Sequence, residues 1–132
     1  MASELSTCFR TAPAVSTSVT LTLSATDATS GVAQMSFSND ESSGSAWESC
    51  ATSKAWTLSA GDGSKTVHVR YQDNAGNISA PATDTIALDT TPPTGTVSIF
   101  GATGLQARAS TVTLKLSATD DVSGVGQMLI SN

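Results

Sequence analysis

Positive charge is scarce in this 132-residue chain: six Lys and Arg stand against eleven Asp and Glu, for a net charge of −5. Nucleic acids and anionic membrane surfaces are gripped by clustered Lys and Arg. The six here are scattered, so the sequence argues against both partners. There is one histidine, His68, and aromatic residues make up 5% of the chain. A hydrolase needs an activated nucleophile with a base beside it, and alternation places His68 on the outer face of a strand. No apolar run approaches the roughly 20 residues of a membrane-spanning helix. Nothing before Arg10 combines a basic start with an apolar stretch, so an export signal, where the parent has one, is expected outside this chain. The two cysteines, Cys8 and Cys50, match neither a metal motif nor a redox Cys-x-x-Cys pair. Two free thiols, or one disulfide tying the N-terminal segment to the middle of the domain, both stay open. No segment keeps a 3.6-residue apolar period long enough for a helix, so essentially no helix is predicted.

What the chain does have is Ser and Thr, about three residues in ten, with Val and Ala among 39% apolar residues. β-Branched residues favour strands, and the apolar residues alternate in period two. Val19, Leu21, Leu23 and Ala25 share one face, as do Ala33, Met35 and Phe37. Trp56 and Leu58 make a short inward pair. Val67, Val69 and Tyr71 point in, with His68, Arg70 and Gln72 out. Ile86 and Leu88 close the set. Trp47 is expected to cap the core from a short edge strand. Turn residues stand at Asp27–Gly31, Glu41–Gly44, Gly61–Gly63 and Asp73–Asn77. With a first strand within Thr11–Ser16, about seven strands are predicted, the count of an immunoglobulin-like antiparallel β-sandwich.

The chain also repeats itself. Ser18–Asn39 recurs as Thr111–Asn132, with fifteen of 22 positions identical at an offset of 93 residues. That period is too long for a solenoid and suits tandem β-sandwiches. The predicted organisation is an atypical N-terminal segment or first strand (1–16), an Ig-like sandwich (17–90), a Pro-rich linker (91–95) and an incomplete second copy (96–132). Pro92 and Pro93 stiffen the linker. In the second copy Val112, Leu114, Leu116 and Met128 form an apolar face lacking its cover. Such a half-sandwich is expected to be poorly ordered, to pack on the first domain, or to self-associate by strand exchange.

Three strings carry a resemblance: Ala25–Asp27 with Ser30–Val32, Tyr71–Asn77, and Leu88–Pro93. Together they resemble the tandem bacterial Ig-like, fibronectin-type-III-like repeats of large surface and secreted proteins, over roughly residues 17–132. The segment Leu5–Pro13 departs from that pattern. The resemblance implies an extracellular or cell-surface location, neighbouring repeats of the same parent as partners, and a structural or spacer role. A ligand-binding role, in adhesion or carbohydrate binding, is the alternative. It would use the loops Asn39–Ala46 and Asp73–Ser79.

No catalytic set assembles from the sequence. Asp62, Asp73, Asp84 and Asp89 lie in turns or at strand ends, and two of them meeting across a loop would be needed for a glycosidase pair. Asp27, Asp73, Asn77 and Asp89 are candidate calcium ligands, since calcium gathers carboxylate, amide and carbonyl oxygens. The resemblance adds that calcium at junctions stiffens related arrays. The competing reading is turn chemistry, in which Asp and Asn close Asx-turns. No other cofactor is implied. Lys54, Lys65 and Lys115 are expected to point outward, which disfavours a Lys–Asn crosslink. Trp47 and Trp56 fit the core better than a ligand platform. The sequon Asn77-Ile78-Ser79 would matter only in a eukaryotic secretory pathway.

Overall fold

The computed structural model describes residues 12–42, 44–100 and 110–131. They divide into two units, meeting after Thr90. Both are all-β, and no helix occurs among the described residues. Cys8 and most of the segment 1–16 lie outside the described residues.

Unit 1 contains β1 (Ser18–Thr22), β2 (Val32–Ser38), β3 (Glu48–Ser49), β4 (Ser53–Thr57), β5 (Gly63–Asp73) and β6 (Ala82–Leu88). β1 pairs with β4, and a second sheet runs β3-β2-β5-β6, every pairing antiparallel. Most of the core is the residue set that period-two alternation selects, but at the start of β2 it is Val32 and not the expected Ala33 that packs on it, because the register shifts between Val32 and Gln34. Leu23, Met35, Phe37, Leu58, Val67, Val69 and Tyr71 are buried together, with Val19, Leu21, Trp56 and Ile86 packed against them. The two sheets thus contribute facing apolar surfaces to one core, the arrangement of a β-sandwich. β5 is its centre, flanked by β2 and β6, and Tyr71 on it is fully buried.

Several expectations are corrected. No strand forms within the described part of Thr11–Ser16. Instead Ala14 makes a single parallel bridge to Leu88, its N–H donating to Ala87 O at 2.8 Å and its O accepting from Asp89 N at 2.8 Å. Pro13 beside it cannot donate, which limits the pairing. Among the described residues unit 1 therefore has six strands, with isolated bridges at Ala14–Leu88 and Gln72–Ile78. Trp47 does not cap the core: it precedes the two-residue β3 and is 37% exposed. Lys54 does not point outward. It shares the half-buried face of β4 with Trp56, donates to Glu48 Oε2 at 2.6 Å, and holds its ammonium 5.7 Å from the Phe37 ring centre. Its aliphatic stem covers apolar surface while its charge finds a partner.

Unit 2 holds β7 (Thr94–Phe100) and β8 (Thr113–Thr119), joined in a regular antiparallel ladder. The expected linker 91–95 is shorter than predicted, because Thr94 and Gly95 already belong to β7. Val97 faces Leu116 and Ile99 faces Leu114 across the ladder, and Val97 and Ile99 remain more than half exposed.

Candidate functional site

The repeated Asp-x-x-Ser-Gly string builds a closed turn in both units. Asp27 Oδ2 accepts from Ser30 N at 2.8 Å, Ser30 Oγ at 2.9 Å and Gly31 N at 3.0 Å. Asp120 Oδ1 accepts from Ser123 N at 2.9 Å and Gly124 N at 2.8 Å. Gly31 and Gly124 close the turns at φ of 76° and 74°, a left-handed conformation that side chains resist. The Ser30 N–H and hydroxyl, then Gly31 N–H, hold the Asp27 carboxyl below its ordinary range. For Asp120, burial pushes upward, but the N–H groups of Gly124, Ser123 and Val122 outweigh it and the carboxyl is also lowered.

The Asp73–Asn77 turn follows the same logic. Asp73, 6% exposed, accepts from Ala75 N at 2.9 Å and Asn77 N at 2.8 Å on Oδ1, and from Asn77 Nδ2 at 2.8 Å on Oδ2. The Asn77 amide is the main cause of a lowered Asp73 carboxyl, with burial opposing it. Asn74 ties this turn to the first one, its N–H reaching Gly31 O at 3.1 Å and its Nδ2 reaching Ser30 O at 2.7 Å.

Of the candidate calcium ligands, the fold thus brings Asp27, Asp73 and Asn77 to one end of the sandwich. Asp89 is at the other. It follows Leu88, which pairs with Gly63 at the start of β5, whereas Asp73 ends β5; the strand rise separates the two by roughly 30 Å. The Asp27 and Asp73 carboxylates are engaged by N–H and O–H donors of their own turns. Among the described residues no group of three or more His, Cys, Asp or Glu is placed to hold a metal ion. Of the four carboxylates weighed for glycosidase chemistry, Asp62 and Asp89 flank the paired Gly63 and Leu88 at one end, and the other two lie elsewhere. Asp73 ends β5, and Asp84 sits within β6 opposite Val67. Asp62 lies at the far end, accepting from Thr90 N at 2.8 Å and Thr90 Oγ1 at 2.7 Å.

These turns carry a pH signature. A carboxyl lowered in the fold favours folding fully above its unfolded pKa of about 4, and that contribution drains as pH falls toward the folded value. The melting temperature is therefore expected to stay level from neutral pH to about 5 and to fall below about 4. Asp73→Asn should make that acid limb shallower, as followed by circular dichroism melts.

A second feature was not legible from alternation. The loop after β2 folds back over the outer face of the β2–β5 pair. Ser45 N donates to Phe37 O at 2.6 Å, Phe37 N to Ser45 Oγ at 3.0 Å, and Ser36 Oγ to Ser45 O at 2.8 Å. Gly44 crosses Ser36 so closely that a Cβ there would lie 2.5 Å from Ser36 Oγ. Trp56 Nε1 donates to Asn39 Oδ1 at 2.8 Å, anchoring the start of the loop. Beneath it is a groove of about 280 Å³ lined by Ser38, Asp40, Trp47, His68 and Arg70 among others. His68 is on the outer face as expected, yet half-buried, and its Nδ1 has no hydrogen-bond partner among the described residues. Cys50 is exposed with a free thiol. No helix among the described residues is long and apolar enough to cross a membrane.

Comparison with known proteins gives no match among family models, curated proteins or solved structures.

Proposed function

We propose that this chain is a structural spacer, a tandem Ig-like repeat from an extracellular bacterial surface or adhesin-type protein, and that it is not an enzyme. The observation that carries this reading is the 22-residue segment that recurs at an offset of 93 residues with fifteen positions identical. A chain that copies a sandwich module and joins the copies through Pro92-Pro93 is suited to length and not to a single reaction centre. The acidic turns support the same reading. Asp27, Asp73 and Asp120 accept from N–H groups of their own turns, so their chemistry is spent on closing loops. Neighbouring repeats are its natural partners.

A second reading, ligand binding in adhesion or carbohydrate recognition, is favoured by one observation: the groove where Trp47 stands beside Arg70 and the buried nitrogen of His68. An exposed indole with polar groups around it is suited to stacking on a sugar or a peptide.

Tryptophan emission of the whole chain, titrated with soluble glycans and matrix proteins, separates the two. A spacer leaves the emission unchanged across the panel. It should also lengthen the reach of a reporter head when placed between that head and a cell surface, without altering the head's affinity. Saturable binding abolished by Trp47→Ala would transfer the function to the groove.

A further inference from the structure

Every strand pairing of unit 1 is antiparallel, yet the segment that enters the unit meets the strand that leaves it in parallel. Ala14 stands beside Leu88, the last residue of β6. The bridge has two hydrogen bonds, Ala14 N to Ala87 O and Asp89 N to Ala14 O, each 2.8 Å long. The pair is dry, with Ala14 3% and Leu88 0% exposed. One residue beyond Asp89 the chain is tied again. Thr90 donates its N–H and its hydroxyl to Asp62 Oδ1, in the turn ahead of β5.

We propose that the Ala14–Leu88 bridge and the Asp62–Thr90 pair form a mechanical clamp, with which unit 1 carries tension along its parent chain without unfolding. Direction is what makes them one. In a parallel pair both chains run the same way, so the chain arrives at Ala14 from the side where β6 starts and leaves Leu88 past its end. Pulling the two ends apart slides Ala14 along β6 and loads both bridge bonds together, in shear. An antiparallel contact between entry and exit would instead be unzipped, one bond at a time. Breaking the bridge also wets Ala14 and Leu88, which the hydrophobic effect opposes. Asp62 reinforces the exit with bonds to a carboxylate, which are stronger than neutral ones. Strands β1 to β5 lie between these two points along the chain, so the core is shielded while the clamp holds. The linker has little slack to absorb a pull: Thr91, Pro92 and Pro93 alone separate Thr90 from β7, and each proline fixes its φ. The inference rests on the spacer reading, because tension reaches unit 1 where both its ends are held.

The test holds the whole chain by tags at its two ends in an optical trap and measures its lifetime under constant load. Unfolding of unit 1 is marked by a released length of about 25 nm, the extended span from Ala14 to Thr90. Asp62→Ala is expected to shorten that lifetime ~10-fold under load. Without load, its unfolding rate in urea should rise by ~2-fold or less, since the clamp is not then the first contact to fail. Ala14→Pro, which deletes the N–H of the bridge, should act in the same direction, and melting curves establish that each variant is folded. Equal acceleration with and without load in both variants would overturn the clamp. So would a loaded lifetime that neither variant shortens. Either result beside a reporter head that still gains reach would leave the spacer reading standing, whereas loss of that reach would remove both.

Discussion

Met35→Ala is expected to destabilise unit 1 by about 2–5 kcal/mol, and Met128→Ala, at the same place in the repeat, to change stability by less than about 0.5 kcal/mol. The two residues stand 93 apart, in 22-residue segments identical at fifteen positions. Truncating a buried Met removes its transfer energy and leaves a hole between β1–β4 and the larger sheet, lined by Phe37, Tyr71 and Leu23. At 69% exposure Met128 has little burial to lose. Urea unfolding read by tryptophan emission measures the first, since Trp47 and Trp56 both lie in unit 1. Amide exchange across β7 and β8 measures the second. With a typical slope of about 1–3 kcal/mol per molar urea, Met35→Ala should lower the midpoint by about 1–3 M. Equal effects at the two positions would mean that Met128 is covered in solution.

Tyr71 gives the second large effect, and its sign depends on the replacement. Tyr71→Ala is expected to cost about 3–5 kcal/mol, as for other buried aromatic residues cut to alanine. Tyr71→Phe is expected to gain about 1 kcal/mol, because it keeps the ring and removes a buried hydroxyl that has no partner among the described residues. Burial, and secondarily the charge of the nearby Cys50 thiolate, pushes the phenol upward. A group raised in the fold contributes its stability in full below its unfolded pKa of about 10 and loses it as pH rises beyond. Wild-type melting should therefore fall at alkaline pH more steeply than that of Tyr71→Phe. A loss of stability in Tyr71→Phe at neutral pH would show that the hydroxyl is bonded.

Much of unit 1 was legible because one face of each strand had to be dry. Period two named Met35, Phe37, Val67, Val69 and Tyr71 as inward, and all are buried. The same rule, applied backward from Trp56, would have put Lys54 on the inner face. Its charge argued otherwise, and the nearby Glu48 carboxylate is what reconciles charge with burial. Trp47 could not be read this way. The strand it precedes is two residues long, so alternation has no run to act on, and its position follows from the loop folding over Ser36. The covering of His68 has the same origin. Its place on the outer face was a local property; what lies above that face depended on a loop some twenty residues earlier in the chain.

The two copies of one sequence separate the local from the global. Asp27-to-Gly31 and Asp120-to-Gly124 make the same turn, with the same acceptor role for Asp and the same left-handed Gly. Sequence alone suffices there, because every donor lies within four residues of its acceptor. Val32–Ser38 is a strand and 125–131 is not, although they share most of their apolar positions. A strand's N–H and C=O groups point sideways, so they are satisfied only by a neighbour that the tertiary fold delivers from far along the chain. β5 provides that neighbour in unit 1, and its side chains turn an alternating pattern into a buried core.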